Sequence, residues 1–207
     1  SKDTKERILK KIPVKNIAAQ YHPESVKKIS FVPPKSDSEG VLRIGFIGAI
    51  GAHKGINKIK SLVNYIEEHS LSIEVVILGY TSDNSFFEGF DFVTITGKYQ
   101  SSELDNLLLD SPIDLIFLTS IWPETYGYTF SEIMQKGLPI VSLDIGAVPE
   151  RSRNYKNTLI IDPSLSIEET LAKIKLFISQ MKTLNYSYIF GNSYTSISSD
   201  YYKFNKV

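Results

Sequence analysis

Short apolar runs that end at a glycine alternate with helical patterns along most of the chain. Residues 41–47 form one such run before Gly48, and residues 73–78 form the next before Gly79. Between these two runs, apolar residues recur at the spacing of an amphipathic helix: Ile56, Ile59, Leu62, Val63 and Ile66. Continuous apolar runs are typical of strands buried on both faces, and their alternation with helices indicates a parallel sheet. The sequence therefore predicts an α/β, Rossmann-like domain with a parallel sheet flanked by helices on both faces.

The same alternation continues to about residue 181. Further strands are predicted over 92–96, 115–118, 139–143 and 159–161, and further helices over 101–110, 128–136 and 167–181. Ser101 or Ser102 is expected to cap the first of these helices. We divide the chain into a leader over 1–40, a central domain over 41–185 and a tail over 186–207. The leader is predicted to include a helix near 4–11 and a first strand near 29–32. The tail is expected to form a surface turn and a helix or strand against the core.

Charge and cysteine content exclude several classes of function. Basic and acidic residues both number 23, so the chain lacks the basic excess of a surface that binds duplex nucleic acid. There is no cysteine, which removes disulfides, thiolate zinc sites and cysteine nucleophiles and favours a cytoplasmic location. No apolar stretch reaches the length of about 18 residues that a membrane span requires. Nucleic acid and a transmembrane segment are therefore not expected.

The loops after the strands are where a ligand is expected, because open parallel sheets bind ligands beyond the carboxyl ends of their strands. The first of these loops contains Gly48, Gly51, His53 and Lys54. Glycines let a backbone approach a phosphate closely, and both the following helix start and Lys54 supply positive charge. The glycine spacing fits neither a P-loop nor a dinucleotide fingerprint, so a tight turn with an exposed lysine and histidine remains the alternative.

A second loop carries two glutamates eight positions apart. Glu124 precedes a predicted helix and Glu132 lies within it, so a helix that begins near Gly127 would place its free N–H groups between them. Eight residues span about 12 Å at helical rise, on the order of the distance from a nucleotide's ribose to a sugar on its diphosphate. The alternative is that Glu124 only favours the helix dipole and that Glu132 is solvated. Trp122, beside them, is expected in the core rather than as a stacking platform.

Residues 122–141 resemble the signature of the retaining glycosyltransferase family 4, the glycosyl transferases group 1: glutamate, seven residues, glutamate, then a small residue, glycine, any residue, proline, any residue and valine. Residues 48–55 are similar to the family's first donor loop, and residues 145–150 to a later loop. The resemblance covers about 29–180. It implies the C-terminal, donor-binding half of a two-domain GT-B enzyme that uses a nucleotide-diphosphate sugar and neither a metal nor another cofactor.

The resemblance also implies a role for each motif residue. Glu124 would be the catalytic residue and would position sugar hydroxyls beside the reacting carbon, while Glu132 would hold the ribose diol. Lys54 of the first loop would contact the donor diphosphate, and backbone N–H groups around Tyr128 and Thr129 in the second loop would hold phosphate. Gly48, Gly51, Tyr126 and Gly127 would belong to the same donor site. Gly97, Lys98 and Tyr99 would border the nucleobase. Ala49 stands where the family usually has arginine, and we hypothesise that His53 supplies part of the lost charge.

The same resemblance implies that an acceptor domain is missing before residue 1 and that the leader over 1–40 is the connection between the two domains plus the first strand of this one. It also implies that this fragment binds nucleotide without turnover. The full enzyme would act in the cytoplasm on a polysaccharide or lipid-linked glycan, where association with a membrane surface is open. Two other functions stay open: a non-catalytic nucleotide-sugar-binding or regulatory module, and a GT-B nucleotide-sugar epimerase. The donor base and sugar, the acceptor, the linkage, the oligomeric state and the role of the tyrosine-rich tail are not identified by the sequence.

Overall fold

The computed structural model describes residues 1–14, 17–19, 22–34 and 40–192. The strands in these ranges are β1 (Glu24–Ser30), β2 (Leu42–Ile50), β3 (Ile73–Thr81), β4 (Val93–Ile95), β5 (Leu115–Leu118), β6 (Ile140–Leu143), β7 (Thr158–Ile161) and β8 (Ser187–Asn192). The α-helices are α1 (Lys2–Lys11), α2 (Ile56–Glu68), α3 (Leu104–Asp110), α4 (Tyr128–Lys136), α5 (Ala147–Ser152) and α6 (Ile167–Met181). None of the described helices is long and apolar enough to cross a bilayer.

Six strands form a parallel sheet in the order β4-β3-β2-β5-β6-β7, which confirms the predicted fold class. Within this sheet, the chain first forms the central strand β2 and continues outward through β3 and β4. It then returns to β5 beside β2 and continues outward through β6 and β7. This is the doubly wound order of Rossmann-like sheets. The switch point lies between β2 and β5, where Ile44 pairs with Leu115. A crevice at the carboxyl ends of these two strands is the expected ligand site.

Helices cover both faces of the sheet, as predicted. On one face lie α2 and α6, and the five apolar residues that predicted α2 are all buried there. On the other face lie α3 and α4, where Phe130, Ile133 and Met134 of α4 are completely shielded from solvent. Packing on this second face fixes α4, and with it the loop before α4, relative to the switch point.

The leader strand does not join the parallel sheet. Instead, β1 pairs antiparallel with β8 in a separate two-stranded ribbon, in which Ile29 lies opposite Tyr188. Tyr188 and Phe190 of this ribbon are buried against the face that carries α4. The expectation of a tail strand packed on the core is confirmed for β8, whereas Tyr201, Tyr202 and Phe204 lie outside the described residues. The division of the chain at residues 40 and 185 stays a prediction.

Two helix starts differ from the sequence analysis. The prediction that Ser101 or Ser102 caps α3 is wrong: a short 3-10 turn precedes α3, and Gln100 and Glu103 cap it reciprocally, with the Gln100 N–H donating to the Glu103 carboxylate at 2.6 Å. The structure also forms the helix α5, which contains Pro149, where the sequence analysis describes only a loop over 145–150. That proline lies in the first turn, where its missing N–H costs no helical hydrogen bond.

Candidate functional site

The loops that follow β2 and β5 meet at the switch point. The Thr119 hydroxyl donates to the Lys54 carbonyl at 2.8 Å, and the Ile121 N–H donates to the His53 carbonyl at 3.1 Å. Gly55 permits this contact: its φ is +77°, and a Cβ there would lie 2.1 Å from the Thr119 carbonyl oxygen. Any larger residue would push the two loops apart. The loops therefore form one continuous wall of the crevice.

A pocket opens between these loops and the start of α4. Its polar lining comes from Lys54, Thr119, Ser120, Glu124, Thr129 and Ser142, and its apolar lining from Phe46, Ile47, Ile50, Phe117, Leu118, Trp122, Phe130, Ile145 and Val148. The Lys54 Nζ atom lies 3.4 Å from the position that a Cβ on Gly48 would occupy. Among the described residues, neither the Lys54 ammonium nor the Glu124 carboxylate has a hydrogen bond or an ion pair. One cation and one carboxylate in this pocket are thus available to a ligand.

The predicted placement of Glu124 just before a helix is confirmed. Gly127, with φ +82°, caps α4, which begins at Tyr128. A Cβ on Gly127 would lie 3.3 Å from Glu124 Oε2, so the carboxylate lies beside the helix start. Thr129, in the first turn, lines the same pocket. The first N–H groups of a helix have no partner within the helix and carry a partial positive charge, which suits an anion at this position.

Glu132 lies one turn further along α4, outside the pocket lining, and faces the loop after β4. Burial raises the pKa of Tyr99, and the nearby charge of Glu132 raises it further. In the same loop, the Lys98 ammonium lies 5.3 Å from the centre of the Tyr80 ring. The structure therefore brings Glu132 next to the loop of Gly97, Lys98 and Tyr99. By resemblance, Glu132 is assigned to the ribose and this loop to the base. Those assignments stay predictions.

His53 is exposed and does not line the pocket with Lys54. Its ring atoms lie 3.7 Å from the position that a Cβ on Gly51 would occupy. The ring thus packs over its own turn, a short 3-10 segment over Ala52–Lys54. The exposed position of His53 is confirmed, and its contribution to diphosphate binding stays a hypothesis.

The interpretation of Trp122 as a core residue is wrong, because its side chain is 66% exposed. Phe46 and Phe117, whose ring centres lie 6.0 Å apart, line the pocket together with Trp122. Trp122 lies at the rim of the pocket, where its carbonyl accepts a hydrogen bond from the Ser120 hydroxyl at 3.2 Å. Ile121, the preceding residue, is also exposed. Trp122 thus offers an exposed aromatic side chain at the rim of the pocket that Glu124 lines.

Tyr126 turns away from the pocket toward β1. Its hydroxyl donates to the His22 carbonyl at 3.4 Å, and its ring lies 3.9 Å from the guanidinium carbon of Arg151. Burial is the largest cause that raises the pKa of Tyr126 to about 12, and the nearby Glu24 carboxylate adds to that rise. Sequence reasoning missed Arg151 because Glu24, its ion-pair partner, lies 127 positions away. No local pattern signals such a pair.

No three histidine, aspartate or glutamate side chains among the described residues come close enough together to hold a metal ion. The absence of a metal requirement stays a prediction.

Comparison with known proteins matches residues 28–188 to the family model described as glycosyl transferases group 1. The lipopolysaccharide outer core galactosyltransferase WaaB, in its apo form, is 20% identical over 85% of this chain and 50% of its own, with a TM-score of 0.64. S. aureus TarM, in complex with alpha-GlcNAc-glycerol and UDP, is 19% identical over 86% of this chain and 36% of its own, with a TM-score of 0.61. No curated protein matches the sequence.

Among the matching structures is also a shorter one, the C-terminal domain of the group 1 glycosyl transferase LpcC from Francisella tularensis. It is 19% identical over 82% of this chain and 88% of its own, with a TM-score of 0.53. The chain therefore spans half of WaaB or less than half of TarM, but most of an isolated C-terminal domain. At these identities the likeness shows the shared fold.

Proposed function

The chain belongs to the glycosyl transferases group 1, and we propose that it is the donor-binding domain of a retaining GT-B glycosyltransferase. Its substrate would be a nucleoside-diphosphate sugar, from which the sugar is transferred to an acceptor hydroxyl. One observation carries the proposal: Lys54 and Glu124, both without partners among the described residues, line one pocket at the switch point together with the start of α4. A cation, a helix start and a carboxylate match a diphosphate joined to a polyhydroxylated ring.

The diphosphate would lie between the Lys54 ammonium and the first N–H groups of α4. Helix starts bind phosphate because their free N–H groups and the helix dipole both favour negative charge. The neighbour TarM was crystallised with UDP, which supports a nucleoside diphosphate as the ligand class. The nucleoside would extend toward Glu132 and the loop of Gly97, Lys98 and Tyr99. The sugar would then lie at Glu124.

Cleavage of the bond between the sugar and the diphosphate leaves its electron pair on the departing phosphate oxygen. Lys54 and the N–H groups of α4 would stabilise that developing charge, and fixed donors of this kind need no reorganisation during the reaction. Glu124 would hold sugar hydroxyls and stabilise positive charge at the reacting carbon. We propose these roles without a metal and with retention of configuration at the sugar.

The acceptor would be bound mainly by a second domain. The chain spans half the length of WaaB and 88% of the isolated LpcC C-terminal domain, which supports a role as one of two domains. We propose a polysaccharide or lipid-linked glycan as acceptor and a cytoplasmic site of action. These 207 residues alone would bind donor nucleotide without transferring sugar.

A non-catalytic module that binds nucleotide sugar is the second candidate. The exposed Ala49 at the end of β2 favours it, because the resemblance predicts a diphosphate-binding arginine at this position. The two candidates share the pocket and differ in turnover. Joining the chain to an acceptor domain of the same family and assaying sugar transfer would separate them.

Calorimetric titration with UDP, GDP and ADP tests the proposed site. Lys54→Met should weaken the best of these ligands about tenfold to a hundredfold, the range for loss of a hydrogen bond to a charged group. Lys58→Met is the matched control: its ammonium lies on α2 and donates to the Pro163 carbonyl at 3.4 Å, away from the pocket. Equal effects of the two variants, or no binding by the wild type, would refute the proposal.

The sugar end of the site is tested separately with Glu124→Gln. This variant keeps the shape of the side chain but removes its charge, so the corresponding nucleotide sugar should bind more weakly while the free nucleoside diphosphate binds as in the wild type. Equal affinities of the variant and the wild type for the nucleotide sugar would remove Glu124 from the sugar-binding role.

A further inference from the structure

We infer that Arg151 is a positioning residue of the donor site, an inference that rests on the proposed function. Arg151 does not line the pocket. It acts on the segment 126–131, which contains the end of the loop and the first turn of α4. By fixing the carbonyl groups of this segment, Arg151 sets the direction in which its N–H groups point toward a diphosphate.

The guanidinium binds the two carbonyls that immediately precede α4. Its Nη1 atom donates to the Tyr126 carbonyl at 2.8 Å and to the Gly127 carbonyl at 3.1 Å. A peptide unit is planar, so a carbonyl that is fixed also fixes the N–H of the next residue. The two hydrogen bonds therefore orient the N–H groups of Gly127 and Tyr128. The latter is the first N–H of the helix.

A second pair of hydrogen bonds joins this segment to the leader. The Nη2 atom of Arg151 donates to the Ser131 hydroxyl at 2.8 Å and to Glu24 Oε2 at 2.9 Å. The Arg151 and Glu24 side chains are only 8% and 10% exposed. Glu24 lies on β1, so the ion pair connects the start of α4 to the two-stranded ribbon. Both charged groups have little contact with water, so each depends on the other as its partner.

Aromatic rings hold the guanidinium in one plane. Its carbon lies 3.9 Å from the centre of the Tyr126 ring and 5.0 Å from that of Phe130. The planar fork of arginine matches this arrangement of oxygens and rings, whereas an ammonium has the charge without the fork. Lysine at this position is therefore expected to restore the charge but not the geometry.

The helix that carries Arg151 also holds the other end of the loop. At the start of α5, the Ala147 N–H donates to the Glu124 carbonyl at 2.9 Å. Gly146 lies so close that a Cβ there would be 2.7 Å from the Glu124 nitrogen. One short helix thus fixes both the backbone of Glu124 and the first N–H groups of α4. The sugar-binding and phosphate-binding groups are held at a constant separation by this arrangement.

The test compares the nucleoside diphosphate that the wild type binds best with its parent nucleoside. Arg151→Lys and the double variant Glu24→Gln/Arg151→Met are the probes. The double variant removes both buried charges, which avoids leaving a carboxylate unpaired in the interior. Arg153→Met is the matched control, because Arg153 is exposed and lies two positions away. Thermal unfolding confirms that each variant is folded.

Calorimetry should show the nucleoside diphosphate bound about tenfold to a hundredfold more weakly by both probes, the range expected when a binding group is displaced by a fraction of an ångström to an ångström. Affinity for the nucleoside, measured by ligand-observed NMR, should stay within twofold, since only the phosphate contacts have moved. Arg153→Met should match the wild type for both ligands.

Unchanged diphosphate affinity in folded probes would overturn the inference and leave the proposed function standing. An equal loss for diphosphate and nucleoside would also overturn it, because general damage to the domain would then be the cause. A wild-type protein that binds neither ligand would refute the proposed function, and the inference with it.

Discussion

Replacing Gly127 by alanine should both destabilise the fold and disturb the site, and Gly97 provides a matched control. The two glycines have nearly the same positive φ, +82° for Gly127 and +85° for Gly97. A Cβ on Gly127 would lie 2.9 Å from Val148 Cγ2 and 3.3 Å from Glu124 Oε2, whereas a Cβ on Gly97 would meet nothing within 4 Å. The backbone strain is therefore shared, and the crowding is confined to Gly127.

The magnitudes follow from these two contributions. Alanine in a left-handed conformation costs about 1–2 kcal/mol, and both variants carry this cost. Overpacking in a filled interior adds about 1–3 kcal/mol, and only Gly127→Ala carries it. For a chain of this size each kcal/mol lowers the midpoint of thermal unfolding by about 2–4 °C, so Gly127→Ala should unfold about 2–12 °C below Gly97→Ala.

Thermal and urea unfolding of both variants measure this difference directly. The crowding also displaces the Glu124 carboxylate, so Gly127→Ala should weaken a nucleotide sugar more than the free nucleoside diphosphate. Equal unfolding midpoints for the two alanine variants would refute the steric reasoning. An unchanged ratio of the two affinities would refute the link from Gly127 to Glu124.

Two further predictions concern aromatic residues around the loop. The pKa of Tyr126 is raised to about 12 from an ordinary value of 10.0, so the folded state holds this proton more tightly than the unfolded state. The stability that this provides is present below about pH 10 and is lost as the pH rises toward 12. The free energy of unfolding should therefore fall less steeply over that interval in Tyr126→Phe than in the wild type or in the exposed control Tyr128→Phe. Equal slopes of this free energy against pH in the three proteins would contradict the shielded environment of Tyr126. Trp122 is the only tryptophan and lies at the pocket rim, so its fluorescence should respond to the nucleoside diphosphate or its sugar. Trp122→Phe should abolish that signal and change stability by less than about 0.5 kcal/mol, as for an exposed site, and a wild-type signal that does not respond to a bound ligand would place the ligand elsewhere.

The parallel sheet could be predicted because its strands and helices are signalled locally. The apolar side of α2 repeats every three or four residues, and every residue of that repeat is buried. The strand β3 is continuously apolar over 75–78 because it lies between β2 and β4 with helices on both faces of the sheet. In each case the pattern of one segment reports its own burial, and no knowledge of a distant partner is required.

The ribbon and the ion pair could not be predicted, because each depends on contacts distant in sequence. The sequence of β1, Glu-Ser-Val-Lys-Lys-Ile-Ser, has only two apolar residues, and its pairing with β8 is visible only when both ends of the chain are placed. Glu24 within it is an ordinary acidic residue until Arg151 is brought beside it. The exposure of Trp122 could not be predicted either, because it depends on the pocket that the loop forms with Phe46 of β2 and Phe117 of β5.

Two pairs of basic and acidic side chains surround the loop before α4: Arg151 with Glu24, and Lys54 with Glu124. The two pairs differ in whether they are paired with each other, and this difference indicates different roles. The side chains of Arg151 and Glu24 are only 8% and 10% exposed and form an ion pair, so a ligand could bind either of them only by breaking a largely shielded pair, which is strongly unfavourable. Lys54 and Glu124 face an open pocket and have no partner among the described residues, so water solvates them until a ligand displaces it. In the proposed function, the closed pair fixes the shape of the loop and the open pair binds the substrate. A chain with zero net charge would then recognise a diphosphate through a local charge that the protein leaves unpaired.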